Sequence, residues 1–148
     1  MWNLGVFVDA DNVSAEKTEK AITMLQQHGD IKFIKAYGNW SSRNALWKKV
    51  LNQYGVEASH RYNITQRKNA TDISLAADAT ASLYSLEFDT LAIVSSDSDY
   101  LLLVQHARSC GKRTIGVGFR QTPGAYSRQC DSFQYIDEPE IIGMVAAN

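Results

Sequence analysis

Two stretches place pairs of carboxylates where an apolar run stops. "VFVDADN", Val6 to Asn12, delivers Asp9-x-Asp11, and "LAIV" passes into "SSDSDY" with Asp97-x-Asp99. Two carboxylates about 4 Å apart repel by about 4 kcal/mol at an effective dielectric of about 20, so converging acids need a proton, a separation or a cation. A cluster of hard oxygen ligands with no His or Cys at metal spacing favours Mg²⁺ or Mn²⁺ over Zn²⁺. A third acid, Asp72 in "RKNATDISLAADA", stands where a helical pattern starts. Asp78 follows on the same pattern but lies about 240° further round the helix wheel, off the face of Asp72. A plainer reading remains for the second pair, because acids ahead of "YLLLV" also suit a helix N-terminus, Asp99 above all. Asp9 is less suited to capping, since Ser14 lies closer to the start of its helix.

The elements that must position these acids alternate. "LGVFV", "IKFIKAY", "VEASHRY", "TLAIVS", "RTIGVGF" and "FQYI" read as strands. Between them Lys17 to His28, "SSRNALWKKVLNQY" with a serine cap, "TDISLAADATASLYSLEF" and "SDYLLLVQHARSC" read as helices. Gly29, Gly55 and Gly111 stand at the three helix-to-strand turns, where a left-handed residue without a Cβ closes a helix. Regular alternation of this kind predicts an α/β fold with a mainly parallel central sheet and helices on both faces. Ligands of such sheets bind at the carboxyl ends of the strands where the winding reverses. If the first and fourth strands are neighbours there, Asp9 and Asp97 share one crevice.

The chain of 148 residues reads as one domain, with a core over about residues 3–137 and residues 138–148 as a last helix or a tail. Its hydrophobic fraction of 45% is that of an ordinary globular protein, and no apolar stretch approaches a membrane span. With no basic leader pattern, the expected compartment is the cytoplasm and no membrane partner is expected. Cys110 and Cys130 form no CxxC pair and read as free thiols. The net charge of -1 conceals a basic middle, where Arg43, Arg61, Arg67, Lys68 and several lysines face the single acid Glu57, flanked by two acidic ends. A polyanion held near acidic chemistry fits that layout, and so does a solvated helix face.

"VFVDADN", "KNATDISLAADA", "LAIVSSDSDYLLLV" and "GKRTIGVGF" followed by "CDSFQYI" together resemble the LabA-like branch of the NYN domains, within the PIN-like nuclease group. The likeness covers nearly the whole chain in order. It implies a three-layer Rossmann-like sandwich and Mg²⁺- or Mn²⁺-dependent cleavage of RNA, with Asp9, Asp72, Asp97 and Asp99 as metal-holding, catalytic acids. It also implies accessory roles for Asn12 and Asp78. On this reading Arg43, Arg61, Arg67 and Lys68 bind the backbone of single-stranded RNA, Trp40 or Tyr62 stacks an unpaired base, and the fold allows a homodimer. Two alternatives stay open: a non-catalytic RNA-binding or regulatory module, and a haloacid-dehalogenase-like phosphatase using Asp9 and Asp11.

Overall fold

A computed structural model of the chain describes residues 1–42, 44–60 and 70–137. In chain order it contains β1 (Trp2–Asp9), α1 (Ala15–Gln26), β2 (Gly29–Gly38), α2 (Ala45–Tyr54), β3 (Val56–His60), α3 (Ala70–Ser82), β4 (Thr90–Val94), α4 (Leu101–Ser109), β5 (Arg113–Gly118), α5 (Gly124–Ser127) and β6 (Ser132–Tyr135). Short 3₁₀ turns over Trp40–Ser42 and Ser98–Tyr100 lead into α2 and α4. The expected last helix, in residues 138–148, lies outside the described residues.

Among the described residues the six strands form one sheet in the order β3-β2-β1-β4-β5-β6, and every pairing is parallel. The winding reverses between β1 and β4, so these strands are neighbours at the switch point, where the crevice of a doubly wound sheet opens.

Strand parity divides the core. Leu4, Val6 and Val8 of β1 and Ala92 and Val94 of β4 pack with Ile22 and Leu25 of α1 and Val50 of α2. Phe7, Leu91 and Ile93 point the other way and pack with Leu75 and Ala79 of α3 and Leu103, Val104 and Ala107 of α4. The result is the three-layer sandwich, with Phe7, Phe33 and Phe88 edge to face at the centre of the α3/α4 side. Removing a buried ring such as Phe7 costs about 3–5 kcal/mol in cores of this kind.

Several local readings change. Ser14 does cap α1, accepting from the backbone N–H of Lys17 at 3.2 Å. The cap of α2 is Asn44 and not a serine, its side chain accepting from Trp47 N at 2.9 Å. Gly55 and Gly111 are left-handed, with φ of 64° and 82°. Gly29 is not; it opens β2, and a Cβ there would lie 2.2 Å from the carbonyl oxygen of Trp2, so close strand approach demands the glycine. The third helix stops at Ser82, short of its apolar pattern, because Leu83 and Phe88 enter the core from the following loop while Leu86 is left in solvent.

Candidate metal centre

Asp9 is the last residue of β1, opposite Tyr37 of β2 in register. It continues the inward row of Phe7, so its carboxylate emerges where the α3/α4 core ends, and the residue is 0% exposed. Oδ2 accepts from Asn12 Nδ2 at 2.9 Å and from Ser95 Oγ at 3.0 Å. Oδ1 has no partner among the described residues.

Beyond Val94 the chain keeps its parity for one more inward residue, Ser95, also fully buried. The Ser95 hydroxyl donates to Asp9 and accepts from the backbone N–H of Asp97 at 3.1 Å, joining the two strand ends. Asp72 comes from the first turn of α3, and its Oδ1 accepts from the buried Tyr100 hydroxyl at 3.2 Å. One carboxylate oxygen each from Asp9, Asp72 and Asp97 lies within 4.8 Å of the others.

The electrostatics follow from that crowding. Burial first, then the hydrogen bond and the charge of Asp97, then the charge of Asp9, push the Asp72 carboxyl up to about 7, against a smaller lowering by Tyr100. Burial also raises Asp9; its bonds from Asn12 and Ser95 oppose this, while Asp11 and Asp97 add to it. Burial holds the Tyr100 phenol well above its ordinary value, so it remains a donor to Asp72. Without a cation the crowding therefore favours keeping a proton within the cluster. A buried carboxylate with one oxygen unpartnered among the described residues, in a cluster with two more carboxylates, fits a small hard cation; an all-oxygen set suits Mg²⁺ or Mn²⁺.

The structure thus brings together Asp9, Asp72 and Asp97, with Asn12 on the first. Asp99 is a correction: it lies outside this cluster, exposed to solvent, and its backbone N–H donates to Asp97 Oδ1 at 2.9 Å, so it belongs to the 3₁₀ turn that Asp97 caps ahead of α4. Asp78 is also outside the cluster; it faces Tyr37, whose hydroxyl is pushed up by burial and then by the Asp78 charge. Trp40 is a second correction. Only 7% exposed, it packs edge to face on Trp47 and donates its indole N–H to Ser59 O at 2.9 Å, leaving no free face for a base. Arg43, Arg61, Tyr62, Arg67 and Lys68 lie outside the described residues.

Sequence reasoning missed Ser95 and Tyr100. For Ser95 the signal was present, since Ile93 faces inward and the residue two positions on must follow it. Tyr100 reads as one more apolar residue ahead of a leucine run, and only the fold shows its hydroxyl on Asp72.

Known proteins agree with this architecture. A relative from Methanocaldococcus jannaschii, an uncharacterized protein, is 27% identical over 119 residues, which are 78% of this chain and 47% of that protein; the chain thus spans about half the length of the curated relative it matches. The crystal structure of a protein of unknown function from Vibrio parahaemolyticus superposes with a TM-score of 0.76 at 22% identity, over 93% of this chain and 94% of that one. Acinetobacter baumannii MurG matches in fold alone, with a TM-score of 0.56 and 13% identity over 91% of this chain and 41% of that chain. The family model described as the NYN domain matches residues 3–137, the same span that carries the sheet and the acidic centre, and the chain belongs to the NYN domain family.

Proposed function

We propose that the chain is a divalent-cation-dependent ribonuclease that cuts single-stranded RNA internally, in the manner its resemblance to the LabA-like NYN domains implies. The observation that carries this reading is the three-carboxylate centre at the β1/β4 switch point, with its buried, unpartnered Asp9 Oδ1. Asp9, Asp72 and Asp97 would hold Mg²⁺ or Mn²⁺, which supplies a Lewis acid for the scissile phosphate and lowers the pKa of an attacking water. Asn12 and Ser95 fix Asp9 by two bonds to one oxygen, leaving the other without a hydrogen bond among the described residues. Tyr100 fixes Asp72, whose proton must leave before the third carboxylate can serve. The free thiols Cys110 and Cys130 accord with work in a reducing cytoplasm.

The phosphatase alternative loses support from Asp11. Its Oδ1 accepts from Asn39 N at 3.0 Å and its Oδ2 from the Thr71 hydroxyl, which commits it to tying the β1 loop to β2 and α3. An RNA-binding module without turnover shares the same fold and is separated by experiment. Purified protein is incubated with short end-labelled RNAs in Mg²⁺ or Mn²⁺, with and without chelator, alongside Asp97→Asn. The expected outcome is cation-dependent internal cleavage that Asp97→Asn abolishes while RNA retention persists. Salt-sensitive binding with no cleavage by either form would establish the binding module, and labelled phosphate trapped on the protein would establish the phosphatase.

A further inference from the structure

We infer that the cleft between the carboxyl ends of β4 and β5 is a subsite for one unpaired nucleobase beside the scissile phosphate, stacked on Phe119 and read by Gln121. The inference rests on the RNA reading above and names the part of the substrate this end of the centre recognises. Asn12, Ser96, Asp97, Phe119 and Gln121 line a cleft of about 350 Å³. Asn12 and Asp97 are also part of the acidic centre, so whatever fills the cleft abuts the reacting phosphate.

The lining selects the occupant. Among the described residues its one charged group is the carboxylate of Asp97, so the cleft offers a phosphate no cation and a neutral group no penalty. Arg120, between the two lining residues, turns away: its guanidinium sits over the Tyr135 ring at 5.2 Å, while its backbone N–H donates to Asp137 Oδ1 at 2.8 Å. What remains is a half-buried phenyl ring and an exposed amide, the pair that binds a flat heterocycle with hydrogen-bonding edges. The volume falls at the small end of the about 300–1,000 Å³ typical of ligand clefts, which suits a single splayed-out base.

The cleft is also built in advance. Ser96 Oγ accepts from Phe119 N at 2.7 Å and meets the Thr122 hydroxyl at 2.8 Å, and Thr122 N donates to Phe119 O at 3.0 Å. Ile136 N bonds Gly118 O at 2.8 Å on the other side. Phe119 itself leans on the α1/α2 core. The ring is thus held beside Asp97 before any base arrives, which spares the ordering cost of binding. On the other flank of Asp9, the cleft bounded by Asp11, Asn39, Trp40 and Trp47 has its aromatic rings turned inward and offers no such platform.

The test uses the full chain and fluorescent short RNAs, either intact or carrying one abasic residue at each position in turn. Binding is read by anisotropy in chelator and cleavage in Mn²⁺, for the wild type, Phe119→Leu, Phe119→Tyr, and Gln121→Ala. Phe119→Leu keeps the apolar packing and removes the stack; it is expected to weaken binding of intact RNA about tenfold or more, the scale of base–aromatic stacking. The same change should leave binding of RNA abasic at one position next to the cut unaltered, Phe119→Tyr should restore the wild-type level, and Gln121→Ala should flatten preference among the four bases there. Equal loss on intact and abasic RNA, or none on either, overturns the subsite even if cleavage proceeds. Base-dependent binding through Phe119 without any cleavage overturns the nuclease reading and leaves the subsite standing.

Discussion

The two Asp-x-Asp strand ends look alike in sequence, and each sends its first acid to the centre, but their second acids do different things. At the end of β1, Asp9 enters the centre while Asp11 bonds Asn39 N and Thr71 as a tie between loops. After β4, Asp97 both enters the centre and caps the turn into α4, while Asp99 gives that turn only its backbone N–H and leaves its carboxylate exposed. Asp9 is the terminal strand residue and is wholly buried, whereas Asp97 stands beyond Ser95, clear of the ladder and partly in solvent. One centre thus combines a rigid, desolvated carboxylate, dictated by the pleat, with a hydrated one dictated by a cap. On the proposed reading, the first kind would fix the position of a cation and the second would meet it from the solvent side.

That contrast can be broken most severely at its first acids. Asp9→Asn and Asp97→Asn should each lower cation-dependent cleavage by more than the about 10–100-fold typical of losing a residue that merely orients a ligand. Asn12→Ala, which frees one bond to Asp9, should fall inside that about 10–100-fold range in the same assay, with cation affinity lost in parallel. Asp11→Ala should act on the fold instead, costing about 1–3 kcal/mol in urea unfolding because the buried Thr71 hydroxyl loses its acceptor. If Asp11→Ala spared stability and abolished cleavage, the division of labour would be wrong. Asp99→Asn should change the cleavage rate by no more than about twofold, as exposed substitutions away from a site usually do.

A pH series sharpens the same contrast. Between the ordinary carboxylate value of 3.8 and about 7, folded Asp72 keeps a proton that the unfolded chain has released. Its contribution therefore favours the folded state at low pH and is lost as pH rises through about 7. Metal-free protein should lose stability across that window, Asp72→Asn should flatten the loss, and the rise in Tm on adding Mn²⁺ should be larger above the window than below it. Differential scanning calorimetry on the two forms checks this.

Much of this was written in the chain and some of it could not be. Alternating apolar runs with turn glycines specified a parallel sheet, and the switch-point rule then joined Asp9 to Asp97 across the fold. Asp72 was legible because a polar residue opening an Ala- and Leu-rich helix has only the crevice or solvent to face. Asp99 was legible only as one of two readings, since a spacing of two means the same face on a strand and means little once the chain turns into a 3₁₀ cap, and the resemblance favoured the wrong one. Trp40 misled because a tryptophan in a polar loop reads as exposed, while its edge-to-face partner Trp47 lies on the next helix. Phe119 went unnoticed for the converse reason, as an apolar residue ending a strand reads as core.

The Ser95 hydroxyl spans the seam between the two halves of the sheet, touching a carboxylate from the first strand and a backbone amide that follows the fourth. A nascent chain that has released only its first half from the ribosome lacks both Ser95 and Asp97, and so holds Asp9 and Asp72 without the third acid. If the centre cuts RNA as proposed, that chemistry waits on the fourth strand, and a fragment ending before Ser95 would lack it.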